Sequence, residues 1–420
     1  MNGGGVRFIH CADVHLDSPM RGLTRYDGAP TDLLRGATRR SFERLVDLAL
    51  EQSVDFVVIA GDLYDGDRDD FNTAIFLQRQ LLRLREGGIP VVIAYGNHDA
   101  ANEITKRLRL PDGVDVLPWD KPGTVLLDDL GVAIHGQSYP TKAVLDDLSL
   151  SYPLPVSDYL NIGVLHTSLD GRPGHDRYAP CTVAALARHG YSYWALGHVH
   201  KREIIVEDGV HIVFPGNLQG RDVGETGPKG ASLVGFDLNG IVSVSHVDIA
   251  PVVWARVEVD LRTASSVDDA LGRIVKEITA IQEASNAEMN AIRVTLRANR
   301  ELAADWLRES ERYEAQLQAD ATGAGESLWL ERIVLQSESS NELAVPDEAL
   351  AAVFSELALL RTDSDKRASA QGLLAGLRNR FGPERREAVA LGAKGLDEES
   401  FDEVLDDVAA LVAGELGSDA

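Results

Sequence analysis

No stretch of this chain approaches the roughly 18 uninterrupted apolar residues that a membrane-spanning helix needs, so none is expected to cross a bilayer. Cysteine is nearly absent, for Cys11 and Cys181 stand alone with no CxxC pair. That leaves no disulfide framework and no zinc knuckle, and both read as small buried hydrophobes. Aromatics make up only 6%, no repeat recurs, and the sole low-complexity tract is the run of glycines after Asn2. Between Met1 and the strand-like Val6-Arg7-Phe8-Ile9 there is no room for a charged and an apolar leader region, which predicts no secretory signal and a cytoplasmic location. Positive charge is short as well: 41 Lys and Arg against 66 Asp and Glu leave a formal charge of -25. A protein that grips nucleic acid by its phosphates normally shows a basic face, so a nucleic-acid function must answer that number.

What is present is a globular composition, 44% hydrophobic and 25% charged, in 420 residues, a length that predicts two or three domains. Over residues 6–259 short β-branched runs alternate with amphipathic helical stretches, the pattern of an α/β domain. The runs at 56–60, 91–94, 162–165 and 193–196 are continuously apolar, which suits central strands covered on both faces. Between the first two, residues 70–85 carry Phe71, Ile75, Phe76 and Leu82 at helical spacing and form a crossover helix. Runs at 210–214, 231–236 and 241–247, separated by glycine-containing turns, are expected to make a more antiparallel second sheet. After Pro251 the expectation is a small α+β module, with strands at 254–261, 291–297 and 328–335 and a helix at 266–283. From Pro346 on the chain reads as helical, with breaks near Asp363, at Gly382-Pro383 and near Gly395. The helix at 37–50 bears an apolar stripe of Phe42, Leu45, Val46 and Ala49, which suits a core face better than a dimer face.

Five short clusters carry the chemistry, and all but one directly follow an expected strand. They are Asp13-Val14-His15, Gly61-Asp62, Gly96-Asn97-His98-Asp99, His166, and Gly197-His198-Val199-His200. In extended chain, residues two apart point to one side, so Asp13 with His15 and His198 with His200 can each address one point. Open α/β sheets place their sites at the carboxyl ends of strands. Carboxylate, imidazole and amide oxygen together suit manganese, iron, zinc or magnesium. The seven donors divide consistently: Asp13, His15 and His200 to one ion, Asn97, His166 and His198 to another, with Asp62 bridging ions about 3.5–4 Å apart. Such a pair would generate hydroxide at neutral pH and neutralise phosphate oxygens. His98, beside a ligand but not needed as one, is the candidate for protonating the leaving oxygen. Singly, His166 could be a hydrogen-bonded core histidine and Asp13 or Asp62 a helix cap; it is their conjunction at strand ends that points to a two-metal phosphoesterase.

The order DxH, GD, GNHD, H, GHxH resembles the calcineurin-like metallophosphoesterases. The segments around it, residues 10–19, Gly61-Asp62-Leu63-Tyr64-Asp65 and 193–201, look like the SbcD-type DNA repair nucleases, and Tyr178-Ala179-Pro180-Cys181 adds a likeness to their YhaO-like branch. The resemblance implies a sandwich of two mixed β-sheets flanked by helices over residues 1–250, a small α+β capping domain that helps select DNA over 251–340, and a helical C-terminal region over 341–420. It implies manganese-dependent cleavage of DNA phosphodiesters, often by a homodimer, and docking of the C-terminal helices onto an SMC-like coiled-coil ATPase. Many of these nucleases carry a second histidine just after the bridging aspartate, where this chain has Asp65. Asp65 is therefore expected to orient His98 instead, with Asp99 and Lys201 as further positioning groups. The acidic excess gathers partly in the last eighty residues, while Arg21, Arg25, Arg172, Arg177, Lys201, Arg202, Arg221 and Lys229 are expected near the strand ends. Competing expectations are a phosphatase or cyclic-nucleotide phosphodiesterase with the same metals, and an inactive assembly subunit stabilised by them.

Overall fold

The structure, a computed structural model, describes residues 5–18, 30–65, 71–100, 110–171, 178–237, 240, 242–324, 327–337, 348–370 and 405. Contacts separate two compact units, one comprising Asp32–Trp254 with the first strand and one carrying the residues from Ala255 onward. In the first unit, one six-stranded sheet runs β12 (Val242–Asp248), β11 (Gly230–Phe236), β1 (Val6–Cys11), β2 (Phe56–Ala60), β3 (Val91–Ala94) and β4 (Val114–Val116). A second runs β5 (Gly123–Leu127), β6 (Val132–Gly136), β7 (Leu160–His166), β8 (Tyr193–Gly197), β10 (Val210–Phe214) and β9 (Glu203–Glu207). Both are mixed. The strands β1 to β4 are parallel, as are β6, β7, β8 and β10, and antiparallel strands complete the edges.

Alternation along the strands builds the layers. Phe56, Val58 and Ala60 of β2 join Phe8, Val92 and Ala94 in a core shared with Ile134, Ile162, Val164, Tyr193 and Ala195 of the other sheet. Phe8 stacks on Phe56 at 4.7 Å between ring centroids and meets Tyr193 edge-on at 5.4 Å, fastening the two sheets together. The opposite faces of the same strands, Val57, Ile59, Ile9 and Ile93, pack against the helices Ala37–Glu51 and Phe71–Glu86. There the stripe of Phe42, Leu45, Val46 and Ala49 is fully buried within this chain. On the outer face of the second sheet, Trp194, Leu196 and Phe214 are covered by Leu186 from the helix Val183–Arg188 and by Tyr152 and Tyr191.

One expectation needs correction. The runs read as a joint antiparallel sheet divide between the two: β10 pairs in parallel with β8, whereas β11 pairs antiparallel with β1, bringing Ser232 opposite His10. A β-branched run states that it is a strand but not which strand it pairs with, and the partner of β11 lies more than 200 residues upstream.

The strand β13 (Val252–Asp260) leads into the second unit, where a three-stranded sheet orders β13, β14 (Met289–Ala298) and β15 (Leu328–Ser337). Ser266 caps the helix Val267–Glu283, its hydroxyl accepting from Asp269 N at 3.1 Å. Since β14 and β15 are parallel, a hairpin cannot join them. The helices Arg300–Arg308 and Ser310–Ala324, which strand alternation does not anticipate, make the crossover and bury Leu302, Trp306 and Leu317 in the unit's core. The helix Glu348–Thr362 stops at Asp363, whose carboxylate accepts from the backbone N–H of Asp365 and Lys366 and so starts a new helical segment. The breaks expected at Gly382-Pro383 and Gly395, the acidic stretch beyond them, and Arg21, Arg25, Arg172 and Arg177 lie outside the described residues.

Candidate metal centre

The carboxyl ends of β1, β2, β3, β7 and β8 converge, so both sheets deliver side chains to one place. Asp13 and His15 follow β1, Asp62 follows β2, Asn97 and His98 open the short helix Asn97–Ala100 after β3, His166 ends β7, and His198 and His200 follow β8. Asp13, His15, Asp62 and His198 all have positive φ, at 50°, 45°, 53° and 94°. Such backbone costs non-glycine residues about 1–3 kcal/mol each and persists where surroundings enforce it. Here a ladder between loops enforces it, with Asp13 N donating to Gly61 O, His15 N to Asp62 O and Leu16 N to Leu63 O at 2.9–3.0 Å.

His166 is the hub, and the motif glycines exist to admit its ring. A Cβ on Gly61 would lie 2.2 Å from its Nδ1, one on Gly96 2.8 Å from its Cε1 and 2.3 Å from Asp62 Oδ1, and one on Gly197 1.9 Å from Ala60 O. The Nδ1 of His166 donates to Ala60 O at 2.9 Å, which leaves Nε2 of the neutral ring as an acceptor. Yet Nε2 faces Asn97 Oδ1 at 2.9 Å and Asp62 Oδ2 at 3.5 Å, both also acceptors. A second close pair of ring nitrogens lies alongside. His200 Nδ1 pairs with Glu225 Oε1 at 2.6 Å, and its Nε2 then meets His15 Nε2 at 3.1 Å. Lone pairs turned on one another in a buried site call for a positive charge between them, and the donor set suits divalent cations.

Among the described residues, three groups of acidic and histidine side chains meet the spacing a cation needs, their donor atoms within 4.8 Å of one another: Asp13, His15 and His200; Asp13, Asp62 and His166; and His15, Asp62 and His98. Asp62, common to the last two, accepts from His98 N at 2.9 Å, and Asp13 accepts from His198 N at 3.0–3.1 Å. The ring of His198 sits 5.1 Å from that of His166 and 5.6 Å from Tyr178. Burial works against charge on Asp62, but His166, His15 and His98 outweigh it and hold its carboxyl well below the usual range. Burial pushes Asp13 up to about 6 against the pull of His200 and His166. For His166, burial is outweighed by Asp62, raising the imidazole to about 9.

The supporting groups are distributed unevenly. Asp65 Oδ1 lies 3.3 Å from His98 Nδ1 and 3.7 Å from His15 Nδ1, while its Oδ2 accepts from Ser18 Oγ at 2.6 Å. Asp99 is fully buried and staples loops, accepting from Gly96 N and Tyr64 N. Lys201 is exposed, and the lysine beside His200 is the buried Lys229, whose ammonium donates to His200 O at 3.0 Å. Sequence reasoning missed Glu225 and Asn217. Glu225 fixes His200 through Nδ1 and accepts from Asn217 Nδ2 at 2.8 Å. The available signal was a general one: a metal-binding histidine usually gives its other N–H to a carboxylate, so a partner was to be sought for each.

Residues 6–202 match the model of the calcineurin-like phosphoesterase family, and residues 254–338 match that of the metallophosphoesterase YhaO middle domain. The uncharacterized metallophosphoesterase YhaO of Bacillus subtilis is 34% identical over 275 residues, covering 65% of this chain and 67% of that protein. The DNA double-strand break repair protein Mre11 of Methanopyrus kandleri is 27% identical over 332 residues, 70% of this chain and 69% of its own. That of Aeropyrum pernix is 29% identical over 304 residues, 67% and 70%. With the strand-end site inside the first matched segment and the YhaO-type module in the second, the chain belongs to the calcineurin-like metallophosphoesterases, as a homologue of YhaO and of the Mre11/SbcD-type nucleases.

Proposed function

We propose that this chain hydrolyses DNA phosphodiester bonds with two divalent cations, manganese by preference. The observation that carries the proposal is the convergence of candidate donors on Asp62, with neutral His166 turning Nε2 toward Asn97 Oδ1 and Asp62 Oδ2 and the Nε2 atoms of His15 and His200 meeting at 3.1 Å. Asp13, His15 and His200 would hold one ion and Asn97, His166 and His198 the other, with Asp62 shared. Bound cations supply Lewis acidity, lowering the pKa of water and neutralising charge on the phosphate. The chain's own part is geometric. Ala60 O and Glu225 fix which nitrogen of His166 and of His200 faces inward. His98, with 32% of its side chain exposed beside the otherwise buried cluster, is placed to give a proton to the departing oxygen, and Asp65 at its Nδ1 steadies the ring.

DNA is favoured as substrate by the kinship with proteins named for double-strand break repair. The proposal divides the chain into a nuclease domain (1–250), a capping domain (251–340) and a helical region (341–420) that docks on an SMC-like coiled-coil ATPase in the cytoplasm, with a homodimer as the working form. The test is an assay series with manganese on single- and double-stranded DNA with free and blocked ends, with nitrophenyl phosphate esters and cyclic nucleotides alongside and Asp62→Ala as control. DNA cleavage lost in the control supports the proposal. Turnover of small esters with DNA left intact would replace it by the small-substrate phosphoesterase, and no turnover of anything by metal-loaded protein would make the chain an assembly subunit.

A further inference from the structure

Asp65 and Glu225 stand on different loops, and one side chain reaches both. Arg221 Nη2 lies 3.2 Å from Glu225 Oε1 and 3.3 Å from His200 Nδ1, while its Nη1 lies 3.8 Å from Asp65 Oδ1. Glu225 is the carboxylate that fixes His200, and Asp65 is the carboxylate at His98 Nδ1. The guanidinium therefore joins the metal-ligand side of the centre to the side of the leaving-group acid. We propose that Arg221 is a positioning residue that holds Asp65 and Glu225 in one register, so that the aim of His98 and the aim of His200 are set together. The inference rests on the phosphoesterase activity proposed above.

Three features favour this over a mere loop clasp. The loop is already closed without the guanidinium, since Arg221 N donates to Glu225 Oε2 at 2.8 Å and Asn217 holds the same oxygen. The hold is two-handed: among the described residues Nε makes no hydrogen bond, and the fork acts through its two terminal nitrogens toward two carboxylates. A planar fork can span two acceptors in fixed geometry, which a lysine ammonium on its flexible stem cannot. Finally, the side chains of Arg221, Asp65 and Glu225 are only 25%, 16% and 16% exposed, so the charges act in a medium less screening than water.

The test separates positioning of the acid from general damage by the leaving group. A nucleoside alkoxide needs a proton to depart, whereas p-nitrophenolate does not. Full-length wild type, Arg221→Met, Arg221→Lys and His98→Ala would be assayed at saturating manganese on a dinucleotide and on bis-p-nitrophenyl phosphate, with manganese stoichiometry and affinity measured by calorimetry. The expected result is that both Arg221 variants keep the wild-type metal count, bind manganese about 10-fold more weakly or less so, and lose at least about 10-fold more rate on the dinucleotide than on the nitrophenyl ester. Beyond the loss that Arg221→Met shows on the nitrophenyl ester, combining it with His98→Ala should then cost no more on the dinucleotide than His98→Ala alone. Equal losses on both substrates, loss of bound metal, additive losses in the double variant, or no loss at all would each overturn the role. A wild type inactive on both substrates would instead overturn the parent proposal.

Discussion

Gly197 has its α-hydrogen where any larger group would strike Ala60 O at 1.9 Å and His166 Nδ1 at 2.9 Å. A methyl group there must push apart the carbonyl and the imidazole that it orients. Gly197→Ala is expected to destabilise the first unit by about 2–3 kcal/mol and to weaken manganese binding, since the overpacked atoms are backbone and a proposed ligand. Thermal melting and calorimetric titration of the variant check this, and unchanged manganese affinity would show that His166 is not a ligand. His10 gives the pH dependence. It is fully buried behind the site, with Nδ1 on Tyr193 Oη and Nε2 donating to Leu196 O, and burial lowers it from 6.5 to about 3. The unfolded chain therefore binds a proton between pH 6.5 and 3 that the folded chain refuses, so stability falls as pH drops through that window, by up to about 4–5 kcal/mol. Urea midpoints from pH 7 to 4 should fall less steeply in His10→Gln; equal slopes would remove His10 from the cause. At this scale much was legible: Asp13, His15, Asp62, Asn97, His98, His166, His198 and His200 were singled out by type and spacing, and the structure brings them together. Glu225 was not, because its tie to His200 spans 25 positions of irregular loop and obeys no period.

Strands showed themselves as strands because being buried on both faces leaves a continuous apolar run, as in Phe56-Val57-Val58-Ile59-Ala60. Their partners stayed hidden, since an apolar run is the same whether its neighbour is adjacent in sequence or, like β1 for β11, far upstream. In the second unit the helices 300–308 and 310–324 escaped notice for a related reason: it is the parallel pairing of β14 with β15 that demands a crossover, and that pairing is not written in either strand. The same pair of strands carries an ion pair across their register, Arg293 to Glu331 through two hydrogen bonds at 2.7 and 2.8 Å, with Glu331 only 6% exposed. Removing one member of a buried pair leaves the charge of the other less compensated. Arg293→Met, which leaves Glu331 buried without this guanidinium, is expected to cost the second unit about 3 kcal/mol, whereas replacing both by Met and Leu should cost less than the single change. Because the pair lies in the other unit, manganese binding by the first should be unaltered. Denaturant unfolding and metal titration of the two variants check both halves, and a single change costing less than the double would contradict the stranded-charge account.

For the whole molecule the number that constrains function is the formal charge of -25. Affinity for duplex DNA grows with each phosphate neutralised by Lys or Arg, so a chain with this excess of carboxylates gains little from the long-range field. Cleavage needs less than grip: cations at the strand ends would locally reverse the sign of a cluster made of Asp13, Asp62 and their neighbours, and Arg221 and Lys229 stand beside it. The two requirements separate in experiment. With calcium in place of manganese to suppress hydrolysis, fluorescence anisotropy of the full chain on a labelled duplex should give a Kd weaker than about 1 μM at physiological salt, the range of contacts made by few phosphates. If the coiled-coil ATPase provides the missing grip, adding it should tighten binding, and deleting residues 341–420 should abolish that gain while leaving the manganese stoichiometry unchanged. Nanomolar binding by the chain alone would mean that its described basic groups suffice despite the net charge, and the proposed dependence on a partner would fall with that result.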